Sequence, residues 1–464
     1  MIELLALTGV VILISAVSSG ALERRGISLV LLFLAIGFVA GPHGLGLADF
    51  TLDSPLLQLV ATVSLTMVLF ADAVSVQPPL MRAHARLATR ILGPGTLITA
   101  ALIALASYWL LDIPAAGSAM IGAALASTDP VLLRSVLRNP RVPEPVRQAL
   151  RMESGLNDAV LLPIVLIAMT VAGGHASSAG YLVRTLGNLL VIGPLAGAVV
   201  GLLCVLALEY VRARFGVRRD YESLYTLGVA LTAFAVAEAL HTSGFLAAFT
   251  AGLAIAFRDV ELCDCFHDYG EATAEVALLL TFVALGGTLI WSGLPLLDVR
   301  HVAFIVLALA IRPIVLVVVL RGTDLSRRDL GLLAWFGPRG LSSLLLILLP
   351  VFDGLPGSDR LFAVCSLVVL ASVVLHGASP ALLMRSVEPT GVSEDARIRL
   401  TLDELDALRS RAERVHVLDV RTENSFAAER NMAAGALRVN PDYAVAEVKR
   451  LGLPRDAWLA LYCT

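Results

Sequence analysis

Two short runs, Ala126-Ser-Thr-Asp-Pro130 and Glu153-Ser-Gly-Leu-Asn-Asp158, set hard oxygen donors into strongly apolar surroundings. Carboxylate, carboxamide, hydroxyl and backbone carbonyl oxygens can replace the hydration shell of a small cation. A carboxylate can also take up a proton in the cation's place. An ionisable residue inside a membrane span is expensive and therefore a functional candidate. Asp158 is the first of these, because partial burial brings proton and cation into competition for one group. Asn157 and Asp129 offer further oxygens, and Thr128 a hydroxyl or carbonyl; Asp129 is read either as an ion ligand or as a stabiliser of the broken helix that bonds its freed N–H groups. Glu153 is expected to pair across two helices with Arg339, which lies in Phe336-Gly-Pro-Arg-Gly340 ahead of Ser342 and Ser343. An unpaired guanidinium there would be costly. Asp72, in Val68-Leu-Phe-Ala-Asp-Ala73, has few polar neighbours in sequence and is read either as the wall of a water funnel or as part of the site.

The elements that must hold these groups are membrane helices. The chain is 57% hydrophobic and 16% charged, with a mean hydropathy of +0.82, against roughly half apolar and a quarter charged in a soluble domain. About 20 apolar residues span a bilayer core. Thirteen such spans can be drawn, at roughly 2–19, 27–42, 54–74, 91–111, 116–137, 152–173, 185–209, 222–240, 244–257, 271–291, 299–320, 329–351 and 359–384. Arginines fall on every second loop (Arg24 and Arg25; Arg82 to Arg90; Arg134 to Arg151; Arg212 to Arg219; Arg258; Arg321 to Arg328; Arg385). By the positive-inside rule the N-terminus is outside and the C-terminus cytoplasmic, in an inner membrane. Met1–Ser18 has an acid, Glu3, where a signal peptide has positive charge, so it reads as a first span. Pro130 and Pro338 should break the fifth and twelfth spans, freeing backbone groups beside the polar residues. Those two spans run in opposite directions, as an inverted repeat requires.

Other classes find little support. No basic tract suggests nucleic acid, and the five cysteines form no disulfide framework. Cys263, Cys265 and His267 make an incomplete ligand set, so no resident metal or other cofactor is expected.

Thr-Asp-Pro, then Glu-Ser-x-x-Asn-Asp, then Gly-x-Arg-Gly in a late span resembles the monovalent cation:proton antiporters of the Na⁺/H⁺ exchanger type over residues 1–385. Ser243-Gly-Phe-Leu-Ala-Ala-Phe-Thr-Ala-Gly252 and Phe70-Ala-Asp72 add to the likeness. The resemblance implies thirteen helices with inverted repeats, a homodimer in the lipid bilayer, and Asp158 as carrier of both ion and proton. It places Asn157, Thr128, Asp129 and Ser154 around the ion and makes Glu153–Arg339 a structural pair. It also implies Na⁺ as the cation, with Li⁺ and K⁺ as alternatives, and the Asn-Asp pair implies electroneutral exchange for H⁺. A cation channel or sensor on the same scaffold is the alternative within the membrane domain.

After a linker at 386–398, residues 399–464 are charged and soluble in character. Leu418-Asp-Val-Arg421, Gly435-Ala-Leu-Arg438 and Leu461-Tyr-Cys-Thr464 resemble a rhodanese domain, a short α/β fragment with Cys463 at the catalytic position. The anion-binding loop that should follow Cys463 is missing and Met432-Ala-Ala-Gly-Ala436 departs from the family, so the thiol is expected to be inert. A membrane-tethered sulfurtransferase is disfavoured for that reason. Some rhodanese relatives continue as Cys-Thr-Cys-Pro-Asn-Glu. The stop after Thr464 is then either a truncation or a UGA selenocysteine codon, which the downstream reading frame distinguishes.

Overall fold

Apolar runs punctuated by proline, glycine and arginine become helices in the computed structural model. It describes residues 29–42, 51–76, 85–137, 142–174, 179–215, 219–258, 271–287, 289–323 and 325–383, then 415–421, 431–439, 450–453 and 458–462, with scattered single positions besides. The region read as the first span lies mostly outside the described residues. So do Cys263, Cys265, His267 and Cys463.

The chain divides into two units, Met1–Glu388 and Pro389–Thr464. In the first, the helices are α1 (Leu29–Ala40), α2 (Pro55–Val74), α3 (Ala85–Leu111), α4 (Ala115–Ala126), α5 (Pro130–Leu137), α6 (Glu144–Ala172), α7 (Gly193–Phe215), α8 (Arg219–Ala239), α9 (Gly244–Arg258), α10 (Glu271–Gly287), α11 (Val299–Val319), α12 (Arg327–Trp335), α13 (Leu341–Phe352) and α14 (Ser358–Leu383). Among the described residues seven helices are long and apolar enough to cross a membrane, or up to eight if one bent pair counts as a span. Four shorter apolar helices accompany them, α13 and α9 included. The protein is thus a mostly helical, multi-pass membrane protein.

Several spans hold a proline without ending at it: Pro94 sits in a π turn within α3, Pro163 inside α6 and Pro313 inside α11. α4 packs against both α3 and α6, and α13 and α14 pack on each other and on α4. This group encloses the site. One apolar core, including Ile121, Leu125, Leu161, Leu345, Leu348 and Phe362, runs through it. By contrast α7 and α11 leave rows of large apolar side chains exposed, such as Leu195, Leu202, Val306 and Ile314, which suits a lipid-facing surface.

In the second unit three strands, β1 (Val415–Asp419), β2 (Leu437–Arg438) and β3 (Trp458–Tyr462), form a parallel sheet in the order β2-β1-β3, with Leu418 opposite both Leu437 and Leu461. Asp419 is buried at the end of the central strand and accepts from Arg421 at 2.7 to 3.1 Å. That hydrogen-bonded guanidinium holds the Asp419 carboxyl at about 2, below the usual carboxylate range.

Candidate functional site

Proline breaks two helices at the same place in space. The residue before proline is pushed out of helical geometry. Accordingly α4 ends at Ala126, Ser127 is extended (φ −61°, ψ 139°), and helix resumes only at Pro130 as α5. Gly337 and Pro338 interrupt the other span, so that 336–340 is unwound between α12 and α13. The two unwound segments touch, with Asp129 N–H donating to Pro338 O at 3.0 Å.

Four half-helix ends meet at this crossing, and each carries unsatisfied backbone groups and a partial charge. Asp129 serves both N-terminal ends. Its Oδ1 accepts from Val131 N at 2.7 Å, at the start of α5, and its Oδ2 accepts from Leu341 N at 2.6 Å, at the start of α13. The C-terminal ends take guanidinium groups. Arg339 Nη1 donates to Ala126 O (2.6 Å) and Ser127 O (3.1 Å), closing α4. Arg312, from α11, donates through Nη1 to Ala334 O (2.9 Å) and Leu333 O (3.3 Å), closing α12. Negative charge at helix N-termini and positive charge at C-termini is the favourable pairing.

One expectation is corrected by this geometry. Glu153 does not pair with Arg339. It is held by Arg312 through two parallel bonds, Nε to Oε1 at 2.7 Å and Nη2 to Oε2 at 2.6 Å, both residues being buried. The bidentate fork is the strong form of this interaction. Arg339 instead sits on the carbonyls that the broken helix was expected to offer the cation. Asp129, expected among the ion's ligands or as a stabiliser of the broken helix, accepts a backbone N–H on each oxygen. The sequence signal for Arg312 is an ionisable residue in the middle of an apolar run, Ile311-Arg-Pro313, and that for Ser127 is its place directly before Thr128 and Asp129.

Beside the crossing, α6 presents Ser154, Asn157 and Asp158 on one face, at the i, i+3, i+4 spacing of helical neighbours, all of them buried. Ser127 Oγ donates to Asp158 Oδ1 at 2.5 Å, and Asn157 Nδ2 donates to Thr128 Oγ1 at 2.8 Å. Ser342, in the first turn of α13, also bears on the Asp158 carboxylate. The second oxygen of the Asp158 carboxylate, Oδ2, and the single side-chain oxygen of Asn157, Oδ1, are buried with no hydrogen-bond donor. Buried acceptors are nearly always satisfied, so two adjacent orphans on a carboxylate and a carboxamide mark a place that fits a cation or a proton. Among the described residues no cluster of three His, Cys, Asp or Glu side chains could hold a resident metal ion.

Asp72 lies apart from this centre. It lines a small cavity of about 50 Å³ together with Ser75, Met81, Gln148, Arg151 and Gly155. The cavity reaches α6 at Gly155, directly after Ser154.

Gly340 is required by the cap. A Cβ there would lie 2.0 Å from Asp129 Oδ2, inside the hydrogen bond to Leu341 N. Gly340→Ala is expected to displace that carboxylate and cost about 1–3 kcal/mol, seen as a lower unfolding temperature in detergent together with slower transport. Asp129→Asn keeps one acceptor oxygen but sets an NH2 against the other main-chain donor, so it should lower the unfolding temperature in the same assays as well.

A crossing of two broken helices beside a buried carboxylate is the arrangement by which discontinuous helices frame the ion site in secondary carriers. The chain belongs to the sodium/hydrogen exchanger transmembrane family, whose model matches residues 9–385. Among curated proteins it is similar to the K⁺/H⁺ antiporter NhaP of Alkalimonas amylolytica, 28% identical over 378 residues, covering 80% of this chain and 64% of that protein. NhaP2 of Shewanella oneidensis, also named a K⁺/H⁺ antiporter, is 28% identical over 380 residues with the same coverage. The chain therefore matches slightly less than two thirds of those relatives' length. Among solved structures it shares the fold of the sodium proton antiporter MjNhaP1 from Methanocaldococcus jannaschii, with a TM-score of 0.67 and 21% identity, covering 81% of this chain and 99% of that one.

Proposed function

We infer that this protein exchanges a monovalent cation for protons across the inner membrane, with Asp158 as the group both must occupy. The observation that carries this is the pair of buried, unpartnered acceptors, Asp158 Oδ2 and Asn157 Oδ1, beside the crossing of the two broken helices. Asp158, Asn157, Thr128 and Ser154 form the ligand shell, with Asp129 as the cap that holds it. The cavity lined by Asp72 is the water-filled approach from the Arg151 side.

The fixed charges support an electroneutral cycle. Glu153 is matched by Arg312, and Asp129 faces a region that also contains Arg339. Asp158 is then the charge left over. The core bears the same charge with either a proton or a monovalent cation bound, and an extra negative charge when empty. An uncompensated charge is the state least suited to move through a low-dielectric barrier. One cation therefore returns for one proton.

The cation is Na⁺ or K⁺, with Li⁺ a third candidate. The solved relative is named for sodium and the curated relatives for potassium, and the choice rests on the size and field of the oxygen shell. Thirteen spans in two inverted repeats, a homodimeric assembly, an external N-terminus and a cytoplasmic C-terminus complete the reading. The parallel sheet around Leu418-Asp-Val-Arg421 supports a rhodanese-like tail.

Purified protein in liposomes with an imposed pH gradient tests this directly. Addition of one of Na⁺, K⁺ or Li⁺ should dissipate the gradient, and should do so without a membrane potential. Conductance without any pH gradient would point to a channel instead. The rate should be bell-shaped between about pH 5 and about pH 9. At acid pH protons displace the cation from Asp158, and at alkaline pH too few protons remain for exchange. A flat profile would contradict competition at one carboxylate.

A further inference from the structure

Against the unwound segment 336–340 lies a buried polar pair on α14, Ser372 and His376. Ser372 Oγ accepts from Arg339 N at 2.7 Å. It thereby satisfies a main-chain donor that the broken helix cannot satisfy for itself. His376 Nδ1 lies 3.1 Å from Ser372 Oγ and 3.1 Å from Ser372 O. The ring also hydrogen-bonds the backbone of Trp335, the last residue of α12, and its face lies 5.8 Å from the Trp335 ring. With Nδ1 beside Ser372, the second ring nitrogen is the one left for Trp335. Because Ser372 O can only accept, Nδ1 carries a proton that it offers between Ser372 O and Ser372 Oγ. The hydroxyl's lone pairs are then shared between this N–H and Arg339 N–H, and its own proton is turned away from both.

This pair is joined to the ion site by an unbroken line of bonds. It runs from His376 to Ser372 Oγ, to Arg339 N–H, through the Arg339 side chain to Ser127 O, and from Ser127 Oγ to Asp158 Oδ1. The unwound segment is held on its other side by Asp129 N–H on Pro338 O and by Asp129 Oδ2 on Leu341 N. Arg339 N is therefore the point where α14 grips it. The charged groups acting on His376 are Arg339 and Arg312, both fixed cations at this crossing.

We propose that Ser372 and His376 are positioning residues for cation binding: Ser372 holds the unwound segment through Arg339 N–H, and His376 sets the direction of the Ser372 hydroxyl. Neither touches the ion. They act by fixing where Arg339 places Ser127, and so where Ser127 places the Asp158 carboxylate. The inference rests on the antiport reading given above.

The test compares wild type, Ser372→Ala, Ser372→Thr and His376→Phe in proteoliposomes, measuring KM and kcat for the transported cation alongside the unfolding temperature. Ser372→Ala leaves a buried N–H without an acceptor, and the expected result is a rise of about tenfold in cation KM, with kcat changed less. Ser372→Thr restores the hydroxyl and should return KM to within about twofold of wild type. His376→Phe keeps the ring but removes the nitrogens, and should raise KM about threefold. Unchanged KM in Ser372→Ala, with only a lower unfolding temperature, overturns the proposal in favour of a purely structural bond. If Ser372→Ala does not fold, unchanged KM in His376→Phe overturns it equally. Failure of the antiport reading is distinguishable, because wild type itself would then exchange no cation, and the proposal falls with it.

Discussion

Asp158→Asn is expected to reduce cation:proton exchange to the background of empty liposomes while leaving the protein inserted and folded. The change is nearly isosteric and retains an acceptor for Ser127 Oγ, which donates to Oδ1 at 2.5 Å. It removes the one group in the crossing whose charge is not matched by a fixed partner. A carboxamide neither releases a proton at physiological pH nor provides a negative charge for a cation, so both halves of the cycle stop together. The measurement is the initial rate of pH-gradient dissipation on adding Na⁺, K⁺ or Li⁺, with size-exclusion profiles to show that the variant is monodisperse. Exchange near the wild-type rate would remove Asp158 from the mechanism. Asp158→Glu separates charge from placement. It keeps the carboxylate but moves it by one methylene, and partial activity with a raised KM is expected.

The second large effect is on folding. Arg312→Ala should lower the yield of correctly folded protein severely, because it leaves Glu153, only 4% exposed, without its bidentate partner. Removing one member of a buried pair costs about 3–5 kcal/mol. Arg312 also closes α12 through Leu333 O and Ala334 O, so the loss reaches the broken helix as well. Glu153→Gln combined with Arg312→Ala should recover part of the stability, since no buried carboxylate is then left uncompensated. Arg312→Lys should be intermediate. An ammonium keeps the charge but cannot make two parallel bonds while also reaching carbonyls on a second helix. Unfolding temperature in detergent and the monodisperse fraction report the outcome. A double variant no more stable than the worse single one would show that the pair is not coupled. Arg339→Ala combined with Glu153→Ala should show no such recovery, because those two residues are not partners.

Much of this protein was legible along the chain because a bilayer imposes simple rules. Apolar runs of spanning length, arginines on alternate loops and proline after Ser-Thr-Asp are local signals, and each has a direct physical cause. They were enough to mark two broken helices and to single out Asp158, whose cost in an apolar span needs no partner to be noticed. The run Leu418-Asp-Val-Arg421 likewise predicted a strand and turn, and β1 is the centre of the tail's sheet.

Pairing was decided only by tertiary structure. Both Arg312 and Arg339 are intramembrane cations within reach of an acid in a sequence reading, and nothing in their spacing says which one Glu153 takes. The choice follows from where α12 lies against both α6 and α11 once the bundle is packed. That arrangement brings the Arg312 fork onto both Glu153 oxygens and two carbonyls at once. Arg339, on the unwound segment itself, is left to close α4. The same holds for Asp129. Its position before Pro130 announces a cap for its own helix, but its bond to Leu341 N joins residues 212 positions apart in the chain. A carboxylate that reads as an ion ligand along the chain becomes a clasp between two half-helices, because burial obliges every main-chain donor at the crossing to find an acceptor and Asp129 is the group placed between them.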